Sequence, residues 1–151
     1  MEIIEKIKSI NIRPDWNSYF MSIAYLISKR SSCDRLHVGC VIVNDNHLIA
    51  AGYNAHITAA PHTSIIIDDH EQMTIHAEMN AIADAASRGI KLNGSKAYIT
   101  NFPCVNCAKI LIAAGIKEII YGEDYKNDEI CYKLYSLANM KITKYQEIKN
   151  D

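Results

Sequence analysis

The chain has 151 residues, of which 49% are hydrophobic and 22% charged, and its formal net charge at pH 7 is −1. This length suits one domain that buries about two-thirds of its extended surface, and the balanced charge excludes the global basic footprint that polymeric nucleic acid requires. No run of about 18 apolar residues predicts a membrane span, no charged-then-apolar leader is present, and five cysteines favour a reducing compartment. We therefore expect one cytoplasmic domain over residues 1–151, with no membrane partner.

Two segments precede the first predicted strand. Residues 1–12 place isoleucines near helical spacing, which predicts either a short helix or an arm, so residues 1–13 are set apart as an N-terminal arm. Pro14 and Asp15 then open an amphipathic helix, whose apolar residues recur at spacings of three and four and which ends near Arg30. This helix is expected to cover one face of a sheet.

A predicted β-hairpin and a long loop follow. Residues 38–43 and 47–53 have the composition of strands, and the polar turn 44–46 between them predicts antiparallel pairing. Residues 54–73 predict an irregular loop, and loops of this length inside compact domains are usually functional. The loop carries three histidines, His56, His62 and His70.

The second half of the chain alternates helices with strands. Thr74 is the predicted N-cap of a helix that runs to about Arg88. The elements that follow are a strand at 95–100, a helix at 104–114, a strand at 117–121, a helix at 128–138 and a short strand at 141–143. This alternation predicts parallel strands joined by right-handed crossovers. The predicted fold class is α/β, a three-layer α/β/α sandwich around a mixed five-stranded sheet.

Two short motifs carry the chemistry, H-x-E at His76 and Glu78 and P-C-x-x-C at Pro103, Cys104 and Cys107. One imidazole and two thiols suit a tetrahedral zinc ion whose fourth position is left to water, and the two motifs together are the signature of zinc nucleobase deaminases. Zinc lowers the pKa of bound water to about 7. Glu78 then lies close enough to carry protons from that water to the base and to the departing amine.

The two cysteines of the second motif also allow other interpretations. A lone C-x-x-C is found in thioredoxin-like redox pairs and as half of a structural zinc knuckle. A redox pair leaves His76 and Glu78 without a role, and no second C-x-x-C completes a four-cysteine site. Pro103 suits the start of a helix whose first turn carries Cys104 and Cys107 on one face.

Eight stretches of the chain share a family pattern in order, from about residue 14 to 144. They are W-N-S-Y-F-M-S-I-A from Trp16, R-S-S from Arg30, V-G-C-V-I-V from Val38, G-Y-N from Gly52, T-I-H-A-E-M-N-A-I from Thr74, F-P-C-V-N-C-A-K from Phe102, A-G-I-K from Ala114 and Y-G-E-D-Y from Tyr121. Together they resemble the deoxycytidylate (dCMP) deaminases of the cytidine-deaminase-like superfamily. Phe102 before Pro-Cys, and N-A-I after H-A-E, are more similar to these enzymes than to the tRNA adenosine deaminases.

This resemblance implies hydrolysis of dCMP to dUMP and ammonia, which supplies dUMP for thymidylate synthesis. It also implies a homohexamer that dCTP activates and dTTP inhibits, both bound as Mg²⁺ complexes. Carried over by position, His76, Cys104 and Cys107 hold one catalytic zinc ion per subunit, and Glu78 is the proton shuttle.

The resemblance also implies substrate contacts. Asn54 resembles the side chain that fixes the deoxyribose, which suits an amide because it offers both a donor and an acceptor, although Asn after a strand is also favoured by turn chemistry. The Ala77 backbone is expected to contact the base edge, with Phe102 and Pro103 beside it. The 5′-phosphate requires cations or hydroxyls. The candidates are Arg30 and Arg35, and after them Ser31, Tyr121, Tyr125 and Lys126.

The chain departs from the family pattern at three places. Cys40 replaces the alanine that many relatives carry near the base pocket, and Ala55 replaces the glycine that commonly follows G-Y-N in the effector loop. The loop also lacks the cysteines that bind a second, structural zinc ion in many relatives. Its histidines, with Asp68 and Asp69, leave two interpretations open: a metal site, or a solvated polar loop.

Two further functions remain open from the sequence. One is a related deaminase that acts on another cytosine or adenine compound, such as a tRNA adenosine, which a basic face around the pocket would favour. The other is a non-catalytic nucleotide sensor that retains the fold and the zinc ion. It would bind dCTP or dTTP without turning over any substrate.

Overall fold

The structure is a computed structural model that describes residues 2–147. Met1 and residues 148–151, which belong to the predicted domain 1–151, lie outside the described residues. In chain order the elements are α1 (Ile3–Lys8), α2 (Trp16–Ser28), β1 (Gly39–Asn44), β2 (His47–Tyr53), β3 (Ala55–His56), β4 (Ile66–Ile67), β5 (His70–Glu71), β6 (Thr74–Ile75), α3 (Ala77–Ser87), β7 (Lys96–Asn101), α4 (Val105–Ala113), β8 (Glu118–Glu123), α5 (Glu129–Leu137) and β9 (Lys141–Lys144).

Five strands form one mixed sheet in the order β2-β1-β7-β8-β9. β1 pairs antiparallel with both β2 and β7, whereas β7, β8 and β9 run parallel. The predicted hairpin between β1 and β2 is confirmed, and its two turn residues, Asp45 and Asn46, have φ of 52° and 59°. Positive φ at both turn positions is the geometry of a tight hairpin whose twist matches that of its strands.

The sheet separates two apolar layers because successive side chains of each strand point to opposite faces. Cys40 and Ile42 of β1 pack on one face with Ala81 of α3, and the cluster there extends to α4 and α5. Val41 of β1 packs on the other face with Phe20, in a cluster formed by α2. The predicted three-layer α/β/α sandwich is therefore confirmed, with α2 on one side of the sheet and α3, α4 and α5 on the other.

Three local predictions were wrong. Thr74 is not the N-cap of α3, because it lies in β6 and pairs with His56 of β3; the N-cap is His76. Cys104 is not inside the first turn of α4 but is itself the N-cap, and its sulfur accepts from the Cys107 amide. The segment 54–73 is not wholly irregular, since it contains β3 and the two-stranded ribbon β4–β5. Only the pairing of Thr74 depends on a distant residue, and there the tertiary structure overrides the local pattern. The Cys104 cap and the β4–β5 ribbon are local features.

The N-terminal segment forms the predicted short helix, α1, and none of its residues is buried. Its isoleucines are all exposed to solvent: Ile3, Ile4, Ile7, Ile10 and, after the helix, Ile12. Within residues 2–147, no helix has the length and apolar character needed to cross a membrane.

Candidate metal and substrate site

One edge of the sheet collects the chemically active residues. Gly39 at the start of β1 pairs with Tyr53 at the end of β2, and the parallel strands β7 and β8 also end at this edge. The segments at this edge carry Asn54 after β2 and Phe102 after β7. In open α/β sheets, ligands bind outside the carboxyl ends of the strands, so this edge is the expected place for a site.

Two helices begin at this edge, each immediately after a potential metal ligand. His76 is the N-cap of α3 and Cys104 is the N-cap of α4, both with extended backbone angles. Because a helix N-terminus carries partial positive charge from its free amide groups, both helices favour negative charge between them. Cys107, in the first turn of α4, completes the group.

The three ligand atoms lie within 4.8 Å of one another. The His76 Nδ1 atom is 3.5 Å from the Cys104 sulfur and 3.4 Å from the Cys107 sulfur. Tetrahedral zinc with ordinary bond lengths requires nitrogen and sulfur about 3.6 Å apart, so these separations fit zinc. An imidazole with two thiolates is also the donor chemistry that zinc prefers, and three protein ligands leave its fourth position open.

Hydrogen bonding within the group separates the acidities of the two thiols. The hydrogen bond from Cys107, supported by His76, lowers the pKa of Cys104 to about 4. The same hydrogen bond and burial raise the pKa of Cys107, and the hydrogen bond to Cys104 raises the pKa of His76. One thiolate is therefore already favoured without any cation. A bound cation stabilises the second thiolate as well, since metal ligands bind in their deprotonated form.

Glu78 lies in the first turn of α3 and is only 4% exposed. Burial raises the pKa of its carboxyl group above the ordinary value. A carboxyl group with a raised pKa exchanges a proton more readily near neutral pH, which is the requirement for a general acid and base. Cys40 is fully buried nearby; burial, and then the charge of Glu78, raise the pKa of its thiol, so it stays a neutral apolar neighbour.

A cavity of about 210 Å³ opens above these groups. Of the predicted substrate residues it is lined by Arg35, Asn54, Ala77, Phe102, Tyr125 and Lys126, together with His76, Glu78 and Cys104. Its lining also includes residues that the sequence analysis missed: Cys33, Leu36, Val38, Asp69, His70, Glu71, Thr74 and Asn101. Asn101 was the one with a usable signal, because it ends a parallel strand.

Four predicted substrate residues do not line this cavity. Arg30 is exposed in the turn after α2. Ser31 lies behind Asn54, with its hydroxyl oxygen 2.7 Å from the Asn54 side-chain oxygen. Pro103 is buried, and its carbonyl oxygen accepts a hydrogen bond from the Cys131 thiol of α5. Tyr121 is also outside the lining, and its hydroxyl donates to the Asp124 carboxylate at 3.2 Å. The substrate roles of these four residues stay predictions.

Two cationic side chains reach the cavity from opposite segments. The Arg35 guanidinium, in the connection before β1, donates to the carbonyl oxygen of Asp69 at the tip of the β4–β5 ribbon. Lys126 follows β8 and lies with its ammonium nitrogen 5.6 Å from the centre of the Tyr125 ring. Both side chains therefore line the cavity, whose wall also includes the acidic residues Asp69 and Glu71.

Side-chain hydrogen bonds fix the short segment that carries Tyr125 and Lys126. The Asp124 carboxylate forms an ion pair with Lys144 of β9 and accepts a hydrogen bond from the side-chain Nδ2 atom of Asn127 at 2.9 Å. The Asn127 side-chain oxygen accepts from the Tyr125 amide, also at 2.9 Å. We call Asp124, Asn127 and Lys144 the anchor of this segment. The anchor holds Lys126 in a left-handed conformation with φ of 43°, which residues other than glycine adopt only when their surroundings impose it.

The histidines of segment 54–73 do not assemble a second metal site. His56 and His62 stack with ring centres 4.9 Å apart, and the Nδ1 atom of His56 is hydrogen-bonded to Ser32. Over residues 2–147, the one group of His, Cys, Asp or Glu side chains close enough to hold a metal is that of His76, Cys104 and Cys107.

The fold and the site together define a class of protein. Zinc nucleobase deaminases combine an H-x-E motif at the start of one helix with a P-C-x-x-C motif at the start of another, and this α/β/α sandwich carries both. Comparison with known proteins agrees with this class. Residues 14–123 match the family profile described as the cytidine and deoxycytidylate deaminase zinc-binding region. The chain belongs to this family of cytidine and deoxycytidylate deaminases.

Three of the similar proteins come from a bacterium, a yeast and a phage. The chain is 42% identical over 134 residues to ComE operon protein 2 of Bacillus subtilis, covering 86% of this chain and 71% of that protein. It is 33% identical over 144 residues to the deoxycytidylate deaminase of Saccharomyces cerevisiae, covering 89% of this chain but 46% of the yeast protein, so it spans about half of that relative's length. The dCMP deaminase of cyanophage S-TIM5, in its crystal structure with dCMP and dUMP, superposes with a TM-score of 0.77 at 27% identity, covering 89% of this chain and 100% of the phage chain.

Proposed function

We propose that this chain, as one deaminase domain, hydrolyses dCMP to dUMP and ammonia and so supplies dUMP for thymidylate synthesis. The observation that carries this proposal is the meeting of three ligand atoms within 4.8 Å at the wall of a cavity that His76, Cys104 and the buried Glu78 line. Family membership and the likeness to dCMP deaminases support the same substrate.

His76, Cys104 and Cys107 are the residues that hold one zinc ion in this proposal. When bound, zinc supplies a Lewis acid that makes water a competent nucleophile near neutral pH. Glu78 takes one proton of the attacking water at its carboxylate and delivers it to the ring nitrogen beside the reacting carbon. It then takes the second proton of the same oxygen and delivers it to the amine, so that ammonia leaves and the oxygen remains on the base as a carbonyl. Its burial keeps bulk water from competing for these protons.

The base and the sugar meet different walls of the cavity. In this proposal the backbone of Ala77, which is buried at the start of α3, forms hydrogen bonds with the edge of the base. Phe102 forms one wall of the base pocket. Phe102 is held by an edge-to-face contact with Tyr121 at 5.0 Å between ring centres. Asn54 faces the same cavity and is assigned to the deoxyribose.

The 5′-phosphate is assigned to Arg35 and Lys126. Both line the cavity, and cationic side chains suit a dianionic group. Tyr125, whose ring lies beside the Lys126 ammonium, provides a hydroxyl in the same cavity. Arg30 is exposed in a turn away from the lining residues, so it is the weaker candidate for this role.

A substrate panel tests the proposed function. The zinc-loaded protein is incubated separately with dCMP, CMP, deoxycytidine and dCTP, and ammonia and the uracil products are measured. We expect turnover of dCMP in preference to the other three compounds. Absence of turnover of all four, with zinc bound at one ion per chain, contradicts the proposal, and so does a clear preference for another compound. Binding of dCTP or dTTP without turnover identifies a nucleotide sensor instead.

Regulation and assembly are further parts of the proposal. The family resemblance supports a cytoplasmic homohexamer that dCTP activates and dTTP inhibits, with Mg²⁺ bound to each effector. Unpaired thiols at all five cysteines agree with a reducing compartment. Light scattering with and without each effector measures the mass of the assembly. The substrate panel, repeated with dCTP or dTTP and Mg²⁺, measures how each effector changes the rate of dCMP turnover. An unchanged rate with both effectors removes regulation from the proposal and leaves catalysis in place.

A further inference from the structure

The side chain of Asn54 is held by hydrogen bonds from three directions. Its Oδ1 atom accepts from the Val38 amide at 2.8 Å and from the Ser31 hydroxyl at 2.7 Å. Its Nδ2 atom donates to the Leu36 carbonyl oxygen at 2.6 Å. Asn54 is 8% exposed, and it also lines the cavity.

These partners fix which end of the amide is oxygen and which is nitrogen. The Val38 amide can only donate and the Leu36 carbonyl can only accept, so a flipped Asn54 side chain would lose both bonds. An amide oxygen accepts two hydrogen bonds and an amide nitrogen donates two. Both acceptor positions of Asn54 are already used by the protein, and one of its two donors is used as well. One N–H group therefore remains for a ligand, and no acceptor remains.

Ser31 fills the second acceptor position of the Asn54 side-chain oxygen, beside the Val38 amide. Its hydroxyl oxygen lies 2.7 Å from the Asn54 backbone oxygen and 2.7 Å from Oδ1, and it accepts from the Cys33 amide at 3.2 Å. The hydroxyl thus shares its one proton between two oxygens of Asn54. Ser31 does not line the cavity, so its effect on a ligand passes through Asn54.

We propose that Ser31 is a positioning residue that locks the Asn54 amide, so that the sugar subsite presents a single N–H donor and recognises an oxygen that accepts a hydrogen bond. This inference rests on the proposed function and narrows it. It gives Ser31 no contact with the 5′-phosphate, and it gives Asn54 only the role of a hydrogen-bond donor to the sugar. A sugar oxygen of the nucleotide meets this requirement, whereas a group that can only donate does not.

A double-mutant cycle between Ser31→Ala and Asn54→Ala tests the lock, with KM and kcat for dCMP and the Kd of dUMP as readouts. We expect Ser31→Ala alone to raise KM and Kd about tenfold, the scale of one lost hydrogen bond, with kcat changed less than about twofold. In the Asn54→Ala background, Ser31→Ala has no further effect. Ser31→Thr, which keeps the hydroxyl, restores most of the affinity.

Ser32→Ala is the matched control, because Ser32 is also half-buried but its hydroxyl contacts His56 instead of Asn54. This variant is expected to bind dUMP as the wild type does. A tenfold effect of Ser31→Ala that persists without Asn54 overturns the inference and indicates a direct contact with the ligand. An unchanged affinity in Ser31→Ala overturns it too. Failure of the wild-type protein to bind dUMP and to turn over dCMP instead refutes the proposed function, and the inference with it.

Discussion

The buried carboxyl group of Glu78 lies where a reaction has to move protons without bulk water. It is 4% exposed, its pKa is raised by burial, and it lies two residues after the ligand His76. A surface carboxylate at neutral pH would be ionised almost completely and would return a proton poorly. Position and burial together make Glu78 the residue whose replacement separates chemistry from binding.

Glu78→Gln keeps the shape of the side chain and removes its ability to carry a proton. We expect turnover of dCMP to fall by at least about 10²-fold, the usual contribution of general acid–base catalysis, with the zinc content and the Kd of dUMP changed little. Rates are measured by ammonia release and zinc by elemental analysis. A variant that keeps more than about a tenth of the wild-type rate would remove Glu78 from the assigned role.

Arg35 and Lys126 are predicted to act on the phosphate alone. Arg35→Gln and Lys126→Gln should each raise KM for dCMP on the order of tenfold, since a charge-assisted hydrogen bond contributes about 1.5–3 kcal/mol. Neither change should alter kcat/KM for deoxycytidine, which lacks the phosphate. Arg30→Gln serves as the control, because Arg30 is exposed and does not line the cavity. Equal losses with both substrates would contradict a phosphate contact.

At the scale of elements, the site depends on how closely α3 lies on β2. A Cβ atom added at Gly52 of β2 would lie 2.5 Å from the Ala77 carbonyl oxygen and would also clash with the Ala81 amide, both in the α3 backbone. Glycine therefore permits the approach that brings His76 and Glu78 to the sheet edge. The Asn80 side chain adds a hydrogen bond of 3.0 Å to the Tyr53 carbonyl oxygen.

Gly52→Ala is expected to move α3 and to impair metal binding without touching a ligand. Overpacking of this kind costs about 1–3 kcal/mol, and the displaced N-terminus of α3 should weaken zinc binding. Chemical denaturation and a competitive zinc titration measure the two effects. Gly89→Asn is the control, because a Cβ atom at Gly89 meets nothing within 4 Å and asparagine tolerates its φ of 67°. Wild-type zinc affinity in Gly52→Ala would show that α3 does not need this contact.

Asp124→Asn tests the anchor at the end of β8. The hydrogen bond from Lys144 is the largest cause that lowers the pKa of Asp124 below 3.8. A carboxyl group whose pKa is lower in the folded state than in the unfolded state stabilises the folded state fully at any pH above its unfolded pKa. This stabilisation is lost only as the pH falls through the lower, folded pKa. We therefore expect Asp124→Asn to raise KM for dCMP by the same factor from about pH 6 to about pH 8. An effect confined to one end of this range would point to another group.

Regular elements were predictable from the sequence because each carries its own signal. The hairpin turn at Asp45 and Asn46 and the α2 cap at Asp15 depend on chemistry within a few residues. The two zinc motifs were readable for the same reason, as their spacings match known ligand geometry. Thr74 was misjudged because its pairing with His56 depends on a residue 18 positions earlier in the chain. Asp68 and Asp69 also form a tight turn with positive φ, but no local signal shows that the β4–β5 ribbon brings His70 and Glu71 to the cavity wall.

For the molecule as a whole, the ligand set joins parts of the chain that are distant in sequence. His76 comes from the start of α3 and the two cysteines from the start of α4, 28 and 31 residues later. A metal held by all three residues therefore links the two helices in the folded state and has no preformed site in the unfolded chain. Binding to the folded state alone raises the free energy of unfolding by mass action.

Removal of zinc should consequently destabilise the protein as well as inactivate it. At zinc about 1,000-fold above its Kd, binding contributes about 4 kcal/mol, which corresponds to a decrease in Tm on the order of 10 °C for a chain of this size. Differential scanning calorimetry with and without a chelator measures the change. Cys107→Ser is the control, and its Tm should respond far less to the chelator. Equal Tm values for the wild type in both conditions would mean that the ion does not link the two helices.

The central claim is that water replaces the amine of dCMP at this site. Mass spectrometry of the product formed in ¹⁸O-enriched water tests it most directly. We predict dUMP that carries one ¹⁸O atom in its base, formed together with ammonia, and labelled product from the Glu78→Gln variant at a rate at least about 10²-fold lower. Unlabelled product, or no dUMP from zinc-loaded protein, would contradict the claim.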